Sequence, residues 1–224
     1  DCPESRGLGD VYKRQLPAAP NLVDIEVEGQ SIKALVQVTK QGFLFVFDRE
    51  TGEPVWPIIE TLVPASDVPG ELASATQPIP SWPLPFVRQG SSRDDIVDQT
   101  AVANYSFGPL YTPPTTNGLV ITPGEGGGAN WGGAAFDPET KVLYVVGFGP
   151  LTHVVTLQDG GQPDFYYGLP ELLFGSASAS PYGGDGSKIT AYNMNSGEIL
   201  WQVAGSSDSR TIGNSSVMIC LLYT

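Results

Sequence analysis

The sequence predicts an all-β fold assembled from repeated strand–turn–strand units. Three observations carry this expectation. The 224 residues include 27 Gly and 20 Pro, a level suited to many short strands joined by turns and long ordered loops, and against a helical bundle. The 9 Tyr, 9 Phe and 4 Trp add β-favouring aromatic surface. Above all, the chain repeats itself. Phe47-Asp-Arg-Glu-Thr-Gly-Glu-Pro-Val-Trp56 and Tyr192-Asn-Met-Asn-Ser-Gly-Glu-Ile-Leu-Trp201 share one spacing: aromatic, Asp or Asn, three residues, Gly-Glu, two residues, Trp. Phe136-Asp-Pro-Glu-Thr-Lys-Val-Leu-Tyr144 follows the same plan with Lys141 in place of the glycine. Each unit is a hairpin whose second strand presents a large aromatic, and a lone sheet of this kind cannot bury that aromatic without a neighbour. In a β-propeller it packs between blades, so Trp56 and Trp201 read as packing residues, and the units predict about three blades, not a closed ring.

In chain order, Leu16–Gly29 reads as a loop entering a strand, and Ser31–Val38 as a strand with an apolar centre. Gly42–Asp48 is a nearly continuous apolar run, expected as a strand buried on both faces. Lys40-Gln41-Gly42 between them is a tight hairpin signal. Asp48–Gly52 is a second turn, with Asp and Gly where turn geometry favours them, and Pro54-Val-Trp56 begins another strand. From Pro57 to Asn117 prolines crowd too closely for strands, Pro64, Pro69, Pro78, Pro80, Pro83 and Pro85 among them. This stretch is expected to be an ordered excursion packed by Trp82, Phe86, Tyr105 and Phe107, with one short helix near Ser91–Val97 capped by Ser91 or Ser92. Strands resume at Gly118–Thr122, Gly132–Asp137 and Lys141–Gly147. Leu151–Ser180 is glycine-rich and reads as irregular. Lys188–Asn193 and Glu198–Val203 form the last pair.

The formal net charge of -13, with dispersed Lys and Arg, argues against nucleic-acid binding, which needs a basic face. The acidity fits solubility and suits an exported protein. No apolar run approaches the ~20 residues of a membrane span. Residues 1–15 are charged and lack the apolar region of a signal peptide. That segment, with its Asp-Val-Tyr-Lys-Arg-Gln string, and residues 218–224 resemble translated adapter sequence and are expected to be non-native tails. Residues 16–217 then form the genuine domain. Cys2 and Cys220 both lie in those tails, and no disulfide between them is expected.

Two segments hold the candidate chemistry. Lys40 sits at a strand end beside Gly42, where a lysine by itself reads as a solvated hairpin residue. Asn130-Trp131 follows Gly126-Gly-Gly-Ala129 and precedes Gly132. Glycines there let backbone approach a planar ligand or adopt positive φ, and the Asn amide both donates and accepts. A glycine-rich loop around a buried tryptophan reads equally well. Walker spacing is absent. His153, the one histidine, supports neither a Ser-His-Asp nor a multi-His site and reads as an ordinary loop residue. Asp94, Asp95 and Asp98 read as a solvated helix face without calcium-loop spacing.

Lys40–Trp56, the Asp67-Val-Pro-Gly-Glu…Thr76-Gln-Pro78…Pro85-Phe86 loop and Gly127–Pro138 together resemble the quinoprotein dehydrogenases. These are eight-bladed β-propellers that bind pyrroloquinoline quinone (PQQ), and the middle element is most similar to the membrane-associated glucose/quinate dehydrogenase branch. The resemblance implies oxidation of an alcohol, polyol or sugar hydroxyl by hydride transfer to PQQ, with electrons passing to ubiquinone or a cytochrome. It implies a periplasmic place, with inner-membrane attachment through segments outside this chain. Lys40 then polarises the quinone oxygens, and Lys40, Asn130, Trp131 and Gly132 contact the cofactor. A calcium or magnesium ion holds the quinone in that family, but its ligands and the stacking tryptophan belong to earlier blades, so no metal ligand is expected here. The family's proton-abstracting Asp lies just before the segment that starts at Leu16, where this chain has Gln15. The fragment alone is therefore expected to be inactive. A non-catalytic propeller scaffold or a carbohydrate-binding propeller would need neither Lys40, Asn130-Trp131 nor the proline-rich loop.

Overall fold

The computed structural model describes residues 16–70, 74–96, 99–100, 102–124, 127–147, 153–159, 165–168, 187–204 and 218–219. Twelve strands occur among them: β1 (Asn21–Val27), β2 (Gln30–Val38), β3 (Leu44–Asp48), β4 (Ile58–Leu62), β5 (Thr76–Pro80), β6 (Leu119–Ile121), β7 (Ala134–Asp137), β8 (Val142–Gly147), β9 (His153–Asp159), β10 (Phe165–Gly168), β11 (Lys188–Asn193) and β12 (Glu198–Ala204). They form antiparallel sheets in the orders β1-β2-β3, β12-β11-β8-β7, β10-β9-β6 and β4-β5. The expected all-β fold is present. The three repeated units occupy two sheets, because the Phe136 and Tyr192 units lie side by side in the four-stranded one.

The first sheet follows from alternation. Val23 and Ile25 on β1 are buried while Leu22, Asp24 and Glu26 face water. Register places Val23 opposite Ala34, and Val36 opposite Val46, so one face gathers Val23, Ile25, Ala34, Val36, Leu44 and Val46. The opposite face of β3 carries an aromatic row: Phe45 stacks on Phe47 at 6.3 Å and meets Phe43 edge-on at 6.2 Å. Phe45 and Phe47 are only half-buried, so β3 is covered fully on one face, not both as its composition suggests. Arg49 ties the sheet together, donating to the Val23 and Ala34 carbonyls and pairing with Asp24 at 3.1 Å.

The repeats share a physical cause. Asp48, Asp137 and Asn193 each turn a side-chain oxygen back onto the backbone N–H two residues on, at 2.8, 2.9 and 2.9 Å. The chain then needs a left-handed residue, supplied by Gly52 (φ 82°), Lys141 (φ 60°) and Gly197 (φ 74°). In the second sheet the inner strand β8 is buried on both faces, with Leu143 and Val145 on one and Val142 and Val146 on the other, as its continuous apolar run requires.

A strap, residues 82–89, fills the seam between these two sheets. Phe86 and Val87 lie in one core with Val36, Val38, Leu44, Leu143, Val145 and Tyr192. The Phe86 N–H donates to Gly42 O at 3.1 Å, and the Phe86 carbonyl accepts from Gln202. Tyr192 Oη donates to Leu84 O at 2.7 Å, and Trp82 Nε1 donates to Ser196 O at 2.7 Å. The indoles of Trp56 and Trp82 both close over Gly197, where a Cβ would overlap Trp82 and crowd Trp56. Trp56 thus packs between sheets as expected. Trp201 does not: on edge strand β12 it is 43% exposed and leans on Tyr144 of its own sheet, because no described sheet lies beyond β12.

Further expectations change. Pro54-Val-Trp56 makes only an isolated bridge, Pro54 to Phe47, and the strand begins at Ile58. The proline-rich excursion contains a ribbon, β4-β5, in which Pro78 and Pro80 sit opposite Glu60 and Ile58. A two-stranded ribbon has only edges, so a missing proline N–H can face outward without breaking a ladder. Within Leu151–Ser180, β9 and β10 replace irregular chain, and His153 opens β9 opposite Ile121. The expected short helix is a 3-10 turn over Arg93–Asp95, capped by Ser92. Asp94 is exposed there. The remainder of Leu151–Ser180, Asp98, Cys2, Cys220 and the 1–15 tail lie outside the described residues. Among those described, no helix is long and apolar enough to cross a membrane.

A glycine-lined lysine hairpin as candidate functional site

The hairpin between β2 and β3 closes with paired bonds: Thr39 N–H to Phe43 O and Gly42 N–H to Thr39 O, both 3.0 Å. Gly42 takes φ 88°, which a side chain resists. This turn does not leave Lys40 in water. Lys40 is only 7% exposed, which overturns the solvated reading. The reason is a second segment laid over it. The loop between β6 and β7 brings Gly127 and Gly128 against the hairpin, and the Gly128 N–H donates to Lys40 O at 2.5 Å. A Cβ on Gly127 would stand 2.5 Å from Lys40 Cβ and 2.8 Å from its Cα, and one on Gly128 would stand 3.1 Å from Gly42 Cα. Only glycine permits backbone to approach so closely.

The same loop carries the other predicted site residues. Ala129 is buried, Asn130 and Gly132 are half-buried, and the Gly133 N–H closes a turn on Asn130 O at 3.1 Å. Trp131 is 70% exposed, so the buried-tryptophan alternative does not hold. At the root of the loop, Thr122 is 3% exposed and its Oγ1 has no hydrogen-bond partner among the described residues. The structure therefore joins Lys40 to the Asn130–Gly132 loop through backbone, and leaves an aromatic ring exposed beside it.

Sequence reading passed over the residue that packs under both segments. Val87 sits where Gly42, Gly128 and Gly147 converge, and a Cβ on any of them would overlap one of its γ-methyls. Gln89 adds a bond from Nε2 to Gln41 O at 2.7 Å. A valine in a proline-rich loop carries no sequence signal of this role.

This donor set suits a planar, anionic, carbonyl-rich ligand. It brings together a buried lysine, a half-buried asparagine amide and an exposed indole face. Among the described residues no group of three or more His, Cys, Asp or Glu stands together.

The chain matches the family model described as "PQQ: Glucose/ethanol/alcohol dehydrogenase, beta-propeller domain" over residues 9–165. It is 35% identical over 145 residues to the quinoprotein glucose dehydrogenase of Gluconobacter oxydans (strain 621H), covering 60% of this chain and 18% of that protein. To the quinate/shikimate dehydrogenase (quinone) of Acinetobacter baylyi it is 33% identical over 147 residues, covering 61% and 18%. The quinohemoprotein alcohol dehydrogenase of Comamonas testosteroni, a solved structure, aligns with a TM-score of 0.45 and 17% identity over 83% of this chain and 24% of that one. The chain thus spans 18% of the length of each of the two curated relatives. The matched region contains both the Lys40 hairpin and the glycine-rich loop that covers it, and the chain belongs to the PQQ-dependent glucose/ethanol/alcohol dehydrogenase β-propeller family.

Proposed function

We propose that this chain forms one wall of the cofactor pocket of a periplasmic PQQ-dependent dehydrogenase that oxidises an alcohol, polyol or sugar hydroxyl. The observation that carries the reading is the burial of Lys40 beneath a glycine loop that leads directly into Asn130-Trp131. Bound there, PQQ supplies the acceptor for a hydride from the substrate carbinol carbon. Lys40 holds a fixed positive charge where an acceptor oxygen gains electron density. In a site of low dielectric that charge acts strongly and needs no reorganisation. Asn130 orients the ligand through its amide, Gly132 keeps the backbone close, and Trp131 offers an aromatic face. The base that takes the hydroxyl proton, and the calcium or magnesium ligands, belong to segments beyond these residues, so no proton-transfer or metal step is assigned here. Glucose and quinate, after which the two curated relatives are named, are the substrates to try first, with ubiquinone or a cytochrome as electron acceptor.

The test uses the intact reading frame around this chain, reconstituted with PQQ. Lys40→Ala should lower dye-reducing turnover by about 10²–10³-fold, with a smaller loss of PQQ uptake seen by tryptophan quenching. Lys40→Arg should recover part of it. Wild-type turnover in the Lys40→Ala enzyme would sink the reading.

A further inference from the structure

We infer that Val87 is the positioning residue of the Lys40 hairpin, locking the hairpin, the glycine-rich loop and the end of β8 into one arrangement. This rests on the proposed role of Lys40. Three glycines from three different segments turn their missing side chains toward this one residue. The Cγ2 methyl of Val87 lies 2.3 and 2.6 Å from the Cβ positions of Gly42 and Gly128, and its Cγ1 lies 2.7 Å from that of Gly147. Gly42 is two residues from Lys40, and Gly128 donates its N–H to the Lys40 carbonyl. Both backbone supports of the lysine therefore rest on one β-branched side chain, which has few rotamers and no polar atom. Its neighbours fix the strap on either side: Phe86 N–H bonds Gly42 O at 3.1 Å, and Gln89 Nε2 bonds Gln41 O at 2.7 Å. Val87 is 6% exposed, so the space left by a smaller side chain would not fill with bulk water, and closely packed interiors relax only partly around such a gap. The hairpin and the loop would then move independently, and Lys40 would lose its fixed place without being touched itself.

Pulsed acetylation of the full chain, read by mass spectrometry, tests this without any cofactor. A lysine only 7% exposed labels through local opening, so its rate reports how firmly the hairpin is held. Val87→Ala should raise Lys40 labelling about tenfold while half-buried Lys188 on β11 stays within about twofold of wild type. Gly147→Ala, which presses on Val87 from β8, should also raise Lys40 labelling. Unchanged Lys40 labelling in Val87→Ala, or an equal rise at Lys188, overturns the inference. A parallel PQQ titration of the intact reading frame, reconstituted as for the Lys40 variants, separates the two ideas. If wild type takes up no PQQ, the functional reading fails and the labelling still judges Val87. If wild type and Val87→Ala take it up equally, Val87 does not position the site.

Discussion

Gly127→Ala tests whether close backbone approach to Lys40 is what this glycine provides. Two costs can be separated. Gly127 has φ 79°, a conformation that costs an L-residue about 1–2 kcal/mol. Its new Cβ would also stand 2.5 Å from Lys40 Cβ, 2.7 Å from Cγ and 2.8 Å from Cα. The Cα cannot rotate away, so the loop or the hairpin must shift, at a cost of about 1–3 kcal/mol. Gly52→Ala provides the control: its φ is 82°, and nothing lies within 4 Å of its Cβ position. Backbone strain and the unfolded-state entropy of the added methyl are common to both variants and cancel. With a urea slope of about 2 kcal/mol per molar, the difference between the two variants should be about 0.5–1.5 M in midpoint, followed by tryptophan fluorescence. Equal midpoints for Gly127→Ala and Gly52→Ala would refute the claim that the loop is pressed against Lys40.

Other expectations follow from the same geometry. Tyr192→Phe removes the donor to Leu84 O at 2.7 Å and should cost about 1–2 kcal/mol in urea unfolding. Burial pushes the Tyr192 phenol well above the ordinary tyrosine range. The folded chain therefore keeps a proton that the unfolded chain releases above about pH 10. That contribution is complete below about pH 10 and declines as pH rises further, and Tyr192→Phe should lack this alkaline decline; an identical pH profile for the two would count against it. Lys141→Gly relieves a non-glycine residue at φ 60°, offset by glycine's greater unfolded freedom. A gain of up to about 1 kcal/mol is expected in thermal unfolding, and a loss larger than that would show that the Lys141 side chain stabilises the turn.

Much of the first sheet and of the repeats was legible because their causes are local. Alternation in β1 and β2 sets which face is buried, and Asp48, Asp137 and Asn193 each cap their own turn through a bond two residues long. The turn at Lys40-Gln41-Gly42 was equally readable from its glycine. What these residues pack against was not. The proline count hid the β4-β5 ribbon, because proline excludes central strands and not a ribbon made of two edges. Leu151–Ser180 hid β9 and β10, since glycine-rich segments weaken a strand signal that pairing with β6 restores.

By itself, the sequence determined the all-β class, the turn chemistry and the family motifs, all of which rest on short-range rules of spacing and residue type. Only the tertiary structure decided that Lys40 is buried, that Trp131 and Trp201 are exposed, and that Val87 joins three glycines. Those properties arise from segments far apart in the chain meeting at one seam, where exclusion of water and steric fit depend on partners no local pattern can name.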